Sequence, residues 1–190
     1  MTVRVMLISP AVNAALREAR FEGDAPLDEA TARGAAAVAA VGRVPGADRH
    51  LRGPSERCGR TAEALGLEAL VEPLLADWDM GRWRGQRLAD VGAVEPDAVS
   101  AWLTDPSAAP HGGESLLDLV ARAGRALESL ESPAGRLLAV VEPAVVRAVL
   151  VRALKLPVEA FWRLDVAPLS LTELSGRSGR WNLRCGRPLN

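Results

Sequence analysis

Histidine, cysteine, lysine and tyrosine are scarce in this chain of 190 residues. It has two histidines, two cysteines, one lysine and no tyrosine. Cys58 and Cys185 are too few for a disulfide framework, and they do not combine with His50 and His111 at metal-ligand spacing. We therefore expect reduced thiols, no metal site and no cofactor.

The chain also lacks an excess of either charge and a long apolar run. Its formal charge is −1 at pH 7, so electrostatics give no reason to expect nucleic acid or an anionic membrane as a partner. No apolar stretch is long enough to span a bilayer, and the first apolar run is too short for a secretory signal peptide. We expect a cytoplasmic protein with a small-molecule ligand; a homodimer is left open.

The length of the chain predicts a single domain over 1–190. Two short apolar runs lie at the centre of the predicted fold. Residues 3–8 and 136–142 read as strands buried on both faces, and each is followed or broken by proline. Helices are predicted over 28–41, 56–65, 116–130 and 144–154, with weak strands over 47–51 and 67–71 and an antiparallel hairpin over 170–174 and 181–184. This alternation predicts an α/β fold with a mostly parallel sheet.

Residues 74–113 are predicted to be irregular. This segment is rich in proline and holds three of the five tryptophans, Trp78, Trp83 and Trp102. Long excursions of this kind are usually functional, so we interpret the segment as a lid or insertion over the site.

Four blocks of sequence carry a resemblance. They are RFEGDAPLDEATARGAAA at 20–37, GPSERCGRTAEAL at 53–65, DWDMGRWRG at 77–85 and PHGGESLLDLVAR at 110–122. In order and spacing they resemble motifs of the histidine phosphatase superfamily, the phosphoglycerate-mutase-like proteins. The resemblance implies a three-layer α/β/α sandwich in which the strands that end at Ser9 and Glu142 are parallel neighbours at the centre of the sheet and their loops meet at one site.

The chain departs from the family at the residues that carry its chemistry. The family's Arg-His-Gly, whose histidine is phosphorylated, corresponds here to Ser9, Pro10 and Ala11. The second family histidine corresponds to Glu142, and the general-acid glutamate to Asp77. Of the usual phosphate pocket, only Arg57 is unchanged.

These replacements predict the loss of phosphoryl transfer. Proline offers neither a nucleophile nor a backbone N–H, and loss of a nucleophile alone costs on the order of 10⁶ in rate in a well-studied hydrolase. Glu142 places a negative charge where the substrate anion would lie. We expect it to form an ion pair with Arg57 that fills the former phosphate pocket.

Three functions stay open at this point. The first is a ligand-binding or regulatory pseudoenzyme; the second is a repurposed enzyme in which Asp77 and Glu142 act as an acid/base pair on a non-phosphorylated metabolite. The third and weakest is a residual phosphatase. The candidate ligand-binding residues are Ser9, Asn13, Arg57, Trp78, Trp83, His111 and Glu114.

Overall fold

A six-stranded mixed sheet forms the centre of the computed structural model, which describes residues 2–21, 24–130 and 135–185. Residues 22 and 23 of the first family-like block lie outside these ranges. The strands are β1 (Val3–Ile8), β2 (Arg49–Arg52), β3 (Leu70–Val71), β4 (Arg136–Val140), β5 (Leu171–Arg177) and β6 (Arg180–Leu183). Their order is β3-β2-β4-β1-β5-β6. The first four are mutually parallel and the last two antiparallel, which confirms the predicted sheet and C-terminal hairpin.

Seven α-helices lie in the described part of the chain. They are α1 (Ala14–Arg17), α2 (Glu29–Ala40), α3 (Glu56–Ala64), α4 (Leu88–Val94), α5 (Pro96–Thr104), α6 (Leu116–Leu130) and α7 (Pro143–Ala153). Local chemistry sets several of their starts: the side chains of Asp28 and Ser55 accept hydrogen bonds from the first turns of α2 and α3, and Pro143 is the first residue of α7. Asp and Ser are favoured as N-cap residues, and Pro is favoured at the first helical position.

The core lies in two layers, one on each face of the sheet. Alternate residues of β1 point to opposite faces: Val5 and Leu7 pack with α6 and α7, whereas Met6 and Ile8 pack with α2 and α3. The central strands are therefore apolar on both sides, as their continuous apolar sequences predict. The result is the three-layer α/β/α arrangement.

The segment 74–113 is more regular than predicted. It contains α4 and α5 as well as 3₁₀ turns at Pro73–Leu75 and Gly81–Trp83. Its three tryptophans are buried, and Trp78 contacts Trp102 with ring centroids 5.5 Å apart and Phe161 at 5.3 Å. The apolar residues of these short helices recur only weakly at helical spacing. The helices are therefore stabilised by the packing of the aromatic rings on the core and not by their local sequence pattern.

None of the helices in the described ranges combines the length and the hydrophobicity that a membrane crossing requires.

Candidate functional site

The ends of β1 and β4 bring the two altered loops together. Ile8 is in register with Val140 in the parallel pair, and the Val141 N–H donates to the Ile8 carbonyl at 3.0 Å. The segments that begin at Ser9 and Glu142 therefore leave the same edge at the centre of the sheet, as predicted. This is where open α/β sheets place their functional crevice.

A buried ion pair joins these loops to α3. Arg57 Nη1 donates to Glu142 Oε2 at 3.0 Å, and their side chains are only 3% and 2% exposed. Arg57 Nε also donates to the carbonyl of Ala11 at 2.9 Å. The predicted pair is confirmed, and through it one guanidinium ties the first loop to the second.

The other oxygen of the Glu142 carboxylate is also hydrogen-bonded. Ser55 Oγ donates to Oε1 at 2.9 Å while accepting from the Cys58 N–H at 3.1 Å as the cap of α3. The Cys58 thiol lies 3.6 Å from the same oxygen. Burial, and then the Glu142 charge, raise the pKa of this thiol well above its usual value, which favours the protonated thiol over the nucleophilic thiolate.

Ser9 and Asn13 are buried and bonded to the protein's own chain. Ser9 Oγ donates to the carbonyl of Ala167 and accepts from the Ser170 N–H at 3.1 Å. Asn13 caps α1 by accepting from the Leu16 N–H at 3.0 Å. Both predicted ligand residues thus stabilise loops that surround the site, and neither lines its open cleft.

An open cleft of about 230 Å³ lies next to the ion pair. Ser55 is shared between the two, because it lines the cleft and bonds Glu142. Three carboxylates and one guanidinium supply the charged part of the lining, and Trp78 supplies an aromatic wall. The lining residues are Asp24, Pro54, Ser55, Ala76, Asp77, Trp78, Asp79 and Arg84.

Glu114 takes part in a hydrogen-bond network under this cleft. Its carboxylate is held by Arg122 through Nε at 2.8 Å and Nη2 at 2.7 Å. Arg122 also donates to the carbonyls of Leu74, Ala76 and Asp77, and the Glu114 carbonyl accepts from Trp78 Nε1 at 2.6 Å. Glu114 therefore positions the cleft wall and does not line the cleft.

His111 and Trp83 lie inside segment 74–113 and do not line the cleft. Trp83 is fully buried, and the two rings contact edge to face with centroids 5.1 Å apart. His111 Nδ1 accepts from the Gly113 N–H at 3.0 Å. Desolvation is the main cause that lowers the pKa of this histidine. The Asp79 charge raises the pKa and the Arg82 charge lowers it, both by smaller amounts.

Sequence reasoning missed three charged members of the cleft lining, Asp24, Asp79 and Arg84. Asp24 lies in the first family-like block, and the other two lie in the third, so the motifs carried the signal although the residues were not singled out. In the described ranges, no three His, Cys, Asp or Glu side chains converge to hold a metal ion.

Comparison with known proteins identifies the scaffold. The model of the histidine phosphatase superfamily, branch 1, matches residues 11–186. This chain belongs to that superfamily.

Among relatives, the glucosyl-3-phosphoglycerate phosphatase of Mycobacterium tuberculosis is 30% identical over 152 residues, which cover 70% of this chain and 68% of that protein. A structure of a mycobacterial glucosyl-3-phosphoglycerate phosphatase complexed with VO3 superposes with a TM-score of 0.82 at 30% identity, covering 96% of this chain and 97% of that one. "Mycobacterial hydrolase 1" gives a TM-score of 0.83 at 28% identity, covering 97% and 98%. The superfamily resemblance and the fold are therefore confirmed.

Proposed function

We propose that this superfamily member is a pseudoenzyme that binds a neutral or cationic small molecule in its acidic cleft. The observation that carries the proposal is the Arg57–Glu142 pair: a protein carboxylate already occupies the guanidinium that the family uses for phosphate. Phosphoryl transfer requires cationic donors around the transferred group. In this protein the charge of Arg57 is already balanced by the Glu142 carboxylate.

The charge of the cleft supports the same conclusion. Asp24, Asp77 and Asp79 line it against a single cation, Arg84. A phosphate dianion would meet three carboxylates there, whereas a cation or a neutral polar molecule would not be repelled. Trp78 adds an aromatic wall, which suits the apolar part of such a ligand or the face of a cation.

The residue at the nucleophile position supports the loss of the family's chemistry. Pro10 has no side-chain nucleophile, and neighbouring Ser9 is buried with its hydroxyl bonded to Ala167. The residual-phosphatase hypothesis needs Ser9 or another group to accept phosphate, and the burial and bonding of Ser9 make it the weakest of the three. The relatives are named as phosphatases, and this makes a direct assay essential.

A repurposed enzyme is the second candidate, and one observation favours it: Asp77 lines the cleft. The paired role suggested for Glu142 is disfavoured, because both of its oxygens are hydrogen-bonded and the side chain is 2% exposed. In this alternative Asp77 alone exchanges protons with the ligand.

Turnover assays with p-nitrophenyl phosphate and glucosyl-3-phosphoglycerate test the proposal. We expect wild type and Arg57→Lys to give the same background rate and no phosphorylated residue by mass spectrometry. Arg57→Lys keeps a cation beside Glu142 but loses the planar fork that holds phosphate. Turnover by wild type that falls in Arg57→Lys, with folding unchanged by circular dichroism, would overturn the proposal.

Ligand binding is tested by thermal-shift screening of neutral and cationic metabolites, because a ligand that binds only the native state raises the melting temperature. For a hit, Asp77→Asn should weaken binding about tenfold, and Asp97→Asn on exposed α5 should leave it unchanged. Conversion of the hit to product would favour the second candidate. Hits confined to phosphate esters would contradict both.

A further inference from the structure

A second pocket lies on the α2/α3 side of the sheet and has a different chemistry. It measures about 240 Å³ and shares no lining residue with the acidic cleft. Ser170 and Arg43 line it together with seven apolar residues. The apolar residues are Ile8, Val38, Val44, Pro45, Leu65, Leu169 and Leu171. Its volume corresponds to about eight water molecules, which is room for a small ligand.

Arg43 stands where helix ends normally place an apolar residue. The end of α2 is a Schellman motif: Gly42, at φ +67°, donates to Ala39, and the Arg43 N–H donates to the Val38 carbonyl at 3.3 Å. In such motifs the residue at the position of Arg43 commonly makes an apolar contact with the last turn of the helix. Here Val38 and Arg43 instead line the pocket together.

The guanidinium of Arg43 forms no ion pair with any described residue. It is the one charged group among the lining residues. An anion that enters the pocket would therefore meet a single cation beside an apolar wall. A guanidinium binds a carboxylate through two parallel hydrogen bonds, whereas a phosphate dianion would need further donors.

The opposite wall of the pocket is held in place by Ser9. The Leu169 N–H donates to the Ser9 carbonyl at 3.2 Å, and Ser9 N–H donates to the Ser170 carbonyl at 3.1 Å. Leu169 has φ +51°, a conformation that non-glycine residues keep only where surrounding contacts hold it. Ser9, which replaces the family's phosphate-binding arginine, thus preforms this wall.

We infer that the pocket binds a small monocarboxylic acid with a hydrocarbon body, its carboxylate paired with Arg43 and its chain against the apolar side chains. The pocket is apolar, preformed and carries one cation at its lining, which is the pattern of small-molecule sites. The inference is independent of the acidic cleft and of the function proposed for it.

Octanoate, octanol and acetate separate the two parts of the site. We expect octanoate to bind wild type and to shift amide resonances of Val38, Val44, Leu65 and Leu169 in a ¹H–¹⁵N NMR titration. Octanol tests the apolar wall without the charge, and acetate tests the charge without the chain. Both should bind at least tenfold more weakly than octanoate.

Three variants complete the experiment. Arg43→Gln should weaken octanoate at least tenfold and leave octanol unchanged, because a charged hydrogen-bonded pair contributes about that factor. Val44→Trp should fill the pocket and abolish both. Arg33→Gln, on the exposed face of α2, is the matched control and should change neither.

Any of three results would overturn the inference. These are no octanoate binding to wild type, equal octanoate affinity in wild type and Arg43→Gln, or resonance shifts that map elsewhere. Arg43 is exposed, so its substitution is expected to fold normally and keeps the test valid if Val44→Trp does not fold.

Discussion

Glu142 and Arg57 are 85 positions apart in the chain, yet their side chains meet 3.0 Å apart in a site closed to solvent. Glu142 immediately precedes α7, two residues beyond the end of β4 at Val140, and Arg57 lies in the first turn of α3. The pair therefore fastens the loop after β4 to a helix that covers the sheet. The pair therefore makes the Arg57 guanidinium part of the buried structure.

Breaking this pair from one side should destabilise the fold strongly. Arg57→Met leaves the Glu142 charge buried and uncompensated, and we expect a loss of about 3–5 kcal/mol in the free energy of unfolding. The double variant Arg57→Met/Glu142→Leu should recover most of that loss, because no charge then stays buried. Urea denaturation of the two single variants and the double variant measures the coupling.

The matched control for the pair is Arg60→Met, since Arg60 forms exposed ion pairs on the same helix. Its unfolding free energy should stay close to that of wild type. A double variant no more stable than Arg57→Met would contradict a pairwise role for Glu142.

Arg122 should be a main support of the cleft wall. It holds the Glu114 carboxylate and three backbone carbonyls between residues 74 and 77. Arg122→Met should lower the free energy of unfolding by about 2–4 kcal/mol, because it leaves several partly buried acceptors without their donor.

The control is Arg125→Met on the exposed side of α6. Tryptophan fluorescence should report the local change in Arg122→Met, since Trp78 bonds the Glu114 carbonyl. An unchanged emission spectrum with unchanged stability would show that Arg122 does not position the wall.

His111 should make stability depend on pH. Its pKa is lowered in the folded protein, mainly by desolvation, so the unfolded chain takes up a proton first as the pH falls. The stabilisation that the neutral imidazole provides is therefore complete above about pH 6.5, the ordinary histidine pKa, and is lost as the pH falls below it. Protonation would also remove the acceptor that Nδ1 offers to Gly113.

Thermal unfolding between pH 5.0 and 8.0 checks this prediction. His111→Gln should flatten the slope below about pH 6.5, the ordinary histidine pKa. Equal slopes in wild type and His111→Gln would assign the dependence to other groups.

The two cysteines should differ in reactivity. Cys58 is fully buried with a raised pKa, whereas Cys185 is exposed. Native protein should react with Ellman's reagent at one thiol per chain, and protein in urea at two. In Cys185→Ser the native signal should vanish; rapid reaction of native Cys185→Ser would mean that α3 opens readily.

Much of the architecture followed from local pattern. Helix α6 has the predicted bounds, and the caps Asp28 and Ser55 and the first helical residue Pro143 lie within one residue of the predicted helix starts at 28, 56 and 144. These features depend on hydrogen bonds and burial within a few residues, which the order of side chains reports directly. The Arg57–Glu142 pair was also predictable, because the family motifs specify which segments meet.

Only the tertiary structure decided which residues reach the cleft. Asp24 and Arg84 line it, while the side chains of Trp83 and His111 are buried. Segment 74–113 forms α4 and α5 because its tryptophans pack on rings from distant parts of the chain. Sequence by itself determined the family scaffold and most of the helices and strands outside residues 74–113, since both are recorded in short-range order. The lining of the two pockets depends on contacts between segments far apart in the chain, and no local pattern carries that information.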